Sequence, residues 1–298
     1  MKYALKMTEQ NPSEIIGYYS CSKTLYEMML FDKALEYCNK ALELNPEDEL
    51  SVSLKIMILK YLNNRESVAS ELENILLKYP DSYDIKRLIS FDYLKQKDYD
   101  NGMKYYRDVV SVENVAKERG NKTDKFLEYD KKYLKRQNLE NKTLLYYQGP
   151  YGAGDFIMFS RYLSLLEKKA GKIIIEASEN FYDLFKTSFK NATIIKESDI
   201  PVPGEEYDYA CSSMQILYSM NTDFNNIPCG CGWLKIPDEF RNKCNSLKIF
   251  ETSKKKIGIF WRGSGGAMMN RNVDISSFSP LFEMEDCQFY SFNIEEKT

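Results

Sequence analysis

Histidine is absent from the 298 residues of this chain. That excludes Ser-His-Asp and Cys-His nucleophilic catalysis, imidazole acid–base chemistry and any zinc site needing a histidine ligand. A strong net charge is missing too: 41 Lys and Arg against 44 Asp and Glu leave −3, so no nucleic-acid partner is indicated. No apolar run approaches the roughly 20 residues that span a bilayer. The opening MKYALKMTEQ lacks the long apolar stretch and small-residue cleavage site of a signal peptide. A disulfide framework is not supported either. Cys21, Cys38, Cys211, Cys229, Cys231, Cys244 and Cys287 are odd in number and scattered, which suits free thiols in a reducing cytoplasm. Cys229 and Cys231 are the only close pair. A metal or redox reading needs a second pair, and Cys244 does not supply one.

What is present is ordinary in bulk, 43% hydrophobic and 29% charged, and long enough for two domains. The first third repeats. Pro12, Pro46 and Pro80 recur every 34 residues, giving windows 15–48, 49–82 and 83–116, each with two helical patterns. In the first, Tyr18, Cys21, Ser22 and Leu25 share one helical face, and Ala34 and Ala41 lie seven apart on the second helix. Small residues there let helices approach closely, and Pro46 ends the unit. Val52, Ile56 and Leu59, then Val68, Leu72 and Ile75, repeat the pattern. Ile89, Ser90 and Tyr93, then Gly102, Tyr106 and Val109, do so again. This is similar to tetratricopeptide repeats, over 15–116. Val68 and Gly102 stand where that family favours Ala, and Asn114 replaces the closing Pro. The resemblance implies a concave groove for a peptide or protein segment. Residues 1–12 fit the second half of a preceding repeat, as a short cap or the inside of a longer array.

Residues 117–141 read as a charged helical connector, with an amphipathic helix around Lys125–Lys135 whose inner side holds Phe126, Tyr129, Tyr133 and Leu134. Lys131, Lys132, Lys135 and Arg136 read as a solvated face.

From residue 142 the period changes. KTLLYYQG (142–149), KIIIEAS (172–178), NATIIKES (191–198) and EYDYACSS (206–213) read as strands. They alternate with helical FIMFSRYLSLLEKKAG, FYDLFKTSF and QILYSM. Such alternation predicts a Rossmann-like, doubly wound parallel sheet over 142–253, with ligands at the C-terminal strand ends. The loop Gly149–Asp155 lies there, and three readings of it stay open. Gly149, Gly152 and Gly154, with Glu176 ending the next strand, allow a dinucleotide site in which Glu176 bonds a ribose hydroxyl, although the spacing is GxxGxG. The glycines could simply make a tight turn, with Asp155 a favourable anion at a helix start. Thirdly, QGPYGAGDFIMFSRYLSLL resembles the loop and helix that open the first domain of heptosyltransferase-like glycosyltransferases (family 9-like) fused to tetratricopeptide repeats.

The resemblance continues through KIIIEAS, YDYACSSMQILYSM, CGWLKIP and KKKIGIFWRGSGGAMMNRNVDISSFSPLF, and so spans 142–298. It implies a GT-B fold, two Rossmann-like domains facing across a cleft, and transfer of a sugar from a nucleotide-sugar donor without a further cofactor. It also implies Asp155 as the base that takes the acceptor hydroxyl's proton. Gly152 and Gly154 would lie against substrate. Gly263, Ser264, Gly265 and Gly266 offer backbone to phosphate oxygens and Arg271 offers a cation for the departing diphosphate. Arg262 stands where relatives often have a small residue, which changes that side of the cleft.

Residues 254–298 suffice for one strand–helix–strand unit, a start on the second domain. The portion that holds most of the nucleotide pocket in the family is not in the sequence. A fragment or disrupted frame, a cut-down recombinant chain and a naturally shortened binder all remain open. The expected function is sugar transfer, with the repeats holding an acceptor or partner and little activity in the chain as it stands. The alternative is a non-catalytic interaction scaffold, and a third is a nicotinamide-dependent oxidoreductase.

Overall fold

The computed structural model describes residues 2–63, 68–111, 124–197, 207–228, 232–247, 251–261 and 273–293. Gly263, Ser264, Gly265, Gly266, Arg262 and Arg271, and the pair Cys229 and Cys231, lie outside them. The chain divides into two compact units, Met1–Lys235 and Ile236–Thr298.

The first unit opens with helices: α1 (Lys2–Gln10), α2 (Ile15–Glu27), α3 (Phe31–Leu44), α4 (Glu49–Leu62), α5 (Ala69–Lys78), α6 (Tyr83–Lys95) and α7 (Tyr99–Val109). The starts of α2, α4 and α6 fall 34 residues apart, as the proline recurrence predicts. Caps set two of these starts: Asp48 Oδ2 accepts from Ser51 N–H at 2.9 Å, and Ser82 Oγ from Ile85 N–H at 3.4 Å. The small residues do the expected packing. Ala34, Cys38 and Ala41 are fully buried, and Ser22 Oγ donates to Ala34 O at 2.8 Å. Two repeats later Ser90 Oγ donates to Gly102 O at 3.0 Å, the same bond. A Cβ at Gly102 would stand 2.7 Å from Leu94 Cγ, so the third hairpin closes too tightly for Ala. Between the second and third hairpins Lys60 and Asp92 form a buried ion pair. Asp92 Oδ2 also accepts from Val68 N–H at 2.9 Å, at the start of α5.

Helix α8 (Asp124–Asp130) leads to the sheet: β1 (Thr143–Tyr147), β2 (Lys172–Ala177), β3 (Thr193–Lys196) and β4 (Tyr209–Ser212). All pair in parallel, in the order β3-β2-β1-β4. The middles of β1 and β2 are apolar because both faces are covered. Leu144, Tyr146, Ile173, Ile175 and Cys211 face one layer. It is built from α9 (Ala153–Phe159), a 3₁₀ turn at Ser160–Tyr162, α10 (Leu163–Leu166) and α11 (Glu179–Ser188). Leu145, Tyr147, Ile174 and Ala210 face the other, where α8 supplies Tyr129.

Three expectations need correction. The predicted helix from Phe156 to Gly171 is broken at Ser160, whose hydroxyl donates to Ile157 O at 2.7 Å and to which Trp233 Nε1 donates at 3.0 Å. The connector helix ends at Asp130, not Lys135. Ladder bonds replace helical ones there: Ala210 N–H donates to Lys132 O and Leu134 N–H to Ala210 O, both at 2.8 Å. The stretch thus runs beside β4 as an edge bridge at Tyr133. Nor is the cation cluster wholly solvated. Lys132 lies over the Tyr207 ring and donates to Tyr207 O, and Arg136 lies over the Tyr218 ring and donates to Tyr218 O.

The array and the sheet layer share a core. Met103, Tyr106 and Val110 pack with Met214, Leu217 and Tyr218, the last three around α12 (Ile216–Ser219). The second unit holds α13 (Asp238–Asn245), β5 (Lys255–Ile259), a 3₁₀ turn at Ile275–Phe278, α14 (Ser279–Phe282) and β6 (Cys287–Ser291). Its two strands pair in parallel, Lys255 opposite Cys287 through Ile259 opposite Ser291, the expected strand–helix–strand unit. Among the described residues no helix is long and apolar enough to cross a membrane.

Candidate functional site: the glycine loop and the helical groove

Two regions of the first unit carry the residues the sequence singled out. The first is the C-terminal edge of the sheet. In the order β3-β2-β1-β4, β2 lies on one side of β1 and β4 on the other, and ligands of such parallel sheets sit at the C-terminal strand ends. The loop after β1 is tightly wired. Gly149 takes φ +72°, a left-handed conformation that favours glycine. A Cβ there would stand 3.1 Å from the Tyr151 ring and 3.2 Å from Ser212 Cβ. Gln148 Nε2 donates to Tyr151 O at 3.0 Å, and Ser213 Oγ to Gln148 O at 2.9 Å. Ser213 N–H donates to Tyr147 O at 2.9 Å. Tyr151 then reaches out of the layer: its hydroxyl donates to Val110 O at 2.7 Å, at the C-terminal end of α7.

Gly152, Ala153 and Gly154 form the exposed rim of this loop. Asp155 is half-buried in the first turn of α9, and its Oδ2 accepts from Gly152 N–H at 3.2 Å. That bond is a helix cap, so the turn-and-cap reading of the loop describes part of what Asp155 does. Gly154 is different. Its φ is not in the left-handed range, and a Cβ there would meet nothing within 4 Å. Among the described residues, packing therefore gives no reason for glycine at this position in the first helical turn. Behind the rim lie Tyr106 and Tyr151, 3% and 8% exposed. Burial raises the Tyr106 phenol well above its ordinary pKa, and nearby Tyr151 and Asp155 add to the rise.

Glu176, considered above for a ribose hydroxyl, does not face this rim. It is 3% exposed beneath α8, and its Oε1 accepts from Lys125 Nζ at 2.7 Å. Burial raises its carboxyl pKa, while the bond from Lys125 and its charge pull it back. No protein-family model matches this chain, and no curated protein matches it.

The second region was foreseen as a surface but not by residue. It is a groove of about 360 Å³ along α2, α4 and α6. Its floor is Leu50, Leu54, Met57 and Leu88, and its walls are Tyr19, Tyr26, Tyr61 and Phe91. Tyr61 stacks on Phe31 at 4.8 Å and meets Tyr26 edge-on at 5.8 Å. Burial, helped by Asp84, pushes the Tyr19 phenol up to about 12. The groove residues recur at the repeat spacing on the first helix of each hairpin (Tyr19, Ser53 and Arg87; Glu27, Tyr61 and Lys95). That periodic signal could have named them in advance.

Proposed function

We propose that this chain belongs to sugar-transfer chemistry of the heptosyltransferase-like class. On this reading a tetratricopeptide-type array holds a polypeptide acceptor or partner beside the first half of a GT-B fold. One observation carries the reading. The glycine loop that follows β1 opens at the C-terminal edge of a 3-2-1-4 parallel sheet, and Tyr151 ties it to the end of the helical array. A partner seated in the groove and a reaction at the rim would then belong to one body.

In this proposal Gly152 and Gly154 let a substrate approach the backbone closely, which accounts for the otherwise unexplained glycine at 154. Asp155 takes the proton from an acceptor hydroxyl as that oxygen attacks the anomeric carbon and the nucleoside diphosphate departs. Such a base is worth roughly 10²–10⁴ in rate. For the diphosphate the resemblance offers Ser264, Gly265 and Arg271, which lie outside the described residues.

The test is a panel of nucleotide sugars incubated with the full chain, following released nucleoside diphosphate and the shift in melting temperature. Asp155→Asn separates the two roles of that residue. Asparagine still accepts from Gly152 N–H, so the cap survives, but it takes up no proton. Lost turnover with unchanged melting supports the base. Turnover within a few-fold of wild type leaves Asp155 as a cap only.

A non-catalytic interaction scaffold is the second reading, favoured by one specific feature: Asp155 is already engaged by Gly152 N–H. Silence toward every nucleotide, with peptide binding retained in the groove, would select it. A response to NAD(P) alone would revive the dinucleotide reading, against which the burial of Glu176 counts.

A further inference from the structure

At the N-terminal edge of the sheet, opposite the glycine loop, lies a cleft of about 610 Å³, within the range of small-molecule sites. It is lined by residues 134–140 ahead of β1, by the turn that follows α10 and by the end of α12. Leu134, Leu139 and Leu166 make its floor and belong to the core of the sheet. Its charged lining is Arg136, Lys168, Lys169 and Glu140, all exposed. Local bonds decide what this lining offers. Gln137 Oε1 accepts from Lys135 N–H at 2.7 Å and from Arg136 N–H at 3.2 Å, and Asn138 Oδ1 accepts from Glu140 N–H at 3.0 Å. Each amide oxygen is thus spent on backbone, and among the described residues neither NH₂ end has a partner. Arg136 is seated twice, by its Nε bond to Tyr218 O at 3.2 Å and by its place over the Tyr218 ring, 4.6 Å from the centroid. Its two terminal nitrogens bond none of the described residues, and Lys168 and Lys169 pair with no carboxylate among them. The cleft therefore presents donors and cations, with Glu140 as the one carboxylate in its lining.

We infer that this cleft binds a small phosphomonoester. Such a group carries close to two negative charges at neutral pH and three strongly accepting oxygens, which calls for donors from several directions. The free fork of Arg136 suits two of those oxygens at once. The NH₂ ends of Gln137 and Asn138 add neutral donors, and Lys168 and Lys169 add charge. A lone carboxylate has two oxygens and one charge, and would leave part of this set idle. Glu140 opposes any anion, and that sets the sign of one test below. The inference does not depend on the sugar-transfer reading. The five residues of β1 separate the two edges of the sheet, roughly 15 Å at about 3.3 Å per residue.

The experiment is isothermal titration calorimetry of the full chain in low salt, at a pH above the second phosphate pKa of about 6. The probes are glycerol 3-phosphate, glycerol and inorganic phosphate. Glycerol 3-phosphate should bind, glycerol should not, and inorganic phosphate should bind roughly tenfold more weakly than the ester. Rising salt should weaken the ester. Asn138→Asp keeps an acceptor for Glu140 N–H but turns the free NH₂ into a charged oxygen, and should weaken the ester roughly tenfold. Glu140→Gln removes only the opposing charge and should tighten it roughly threefold. Both side chains are exposed, and circular dichroism checks the fold; if Asn138→Asp melts early, Glu140→Gln decides. No heat from glycerol 3-phosphate at millimolar concentration overturns the inference. So does inorganic phosphate bound as tightly as the ester, which marks an adventitious ion only, and so does an affinity that neither variant moves. Capture of the chain by vesicles of phosphatidic acid in phosphatidylcholine, without binding of the soluble ester, puts the phosphate on a lipid and overturns it as well.

Discussion

Replacing Asp92 by alanine strips a buried ammonium of its only counter-charge among the described residues. Lys60 and Asp92 are 4% and 3% exposed, and the same carboxylate holds Val68 N–H at the start of α5. Removing one partner of a buried pair costs about 3–5 kcal/mol, because the remaining charge stays desolvated. The unbonded amide belongs to the same local collapse, so its cost of about 1–3 kcal/mol overlaps this figure and is not added to it. A unit of this length loses about 2–4 °C per kcal/mol, so the melting temperature should fall by roughly 6–20 °C. The assay is circular dichroism of the full chain, scanned with temperature. The control is the double exchange Lys60→Met with Asp92→Leu, which removes both charges and fills the space. It should recover most of the loss, since apolar replacement of a buried pair is often neutral or better. Melting of Asp92→Ala within about 2 °C of wild type would refute the reasoning. So would a double variant that falls as far as the single one.

Tyr151→Phe removes the donor to Val110 O and should cost about 1–3 kcal/mol. Amide exchange should accelerate at both 99–111 and 148–155, whereas acceleration in one segment alone would contradict a link between them. Gly149→Ala forces a side chain into φ +72° against the Tyr151 ring. It should lose about 1–2 kcal/mol in a denaturant titration, and an unchanged midpoint would show that the loop relaxes freely. For Glu176, burial raises the native pKa. Below the ordinary carboxyl range the group is protonated in both states and costs nothing; above the raised native value its ionised form is held at a penalty. The stability of Glu176→Gln relative to wild type should therefore improve as pH rises from about 4 toward 7. A difference that is flat or worsens over that range in urea midpoints would refute burial as the ruling cause.

Much of the architecture was readable from local pattern. Regular prolines and small residues placed the starts of α2, α4 and α6, and short apolar runs between polar turns placed the four strands. The type of Gly149 fitted its left-handed turn, and the position of Asp155 at a helix start fitted its cap. What local pattern missed depends on distant partners. Lys60 and Asp92 lie 32 residues apart, and nothing in either helix marks a pair. Phe126 and Tyr129 read as the inner side of a connector helix, but nothing local says that they pack on the sheet face of Leu145, Tyr147 and Ile174. The break at Ser160 depends on Trp233, 73 residues downstream.

The shared core of α7 and α12 has a consequence during synthesis. Tyr106 is finished 108 residues before Met214, whose carbonyl it meets. At about 5–20 residues per second, the apolar flank of the last hairpin stands bare beside the ribosome for roughly 5–20 s. The array's final turn cannot lock until the sheet's closing segment emerges, so the nascent chain passes through a sticky, chaperone-accessible interval set by translation speed.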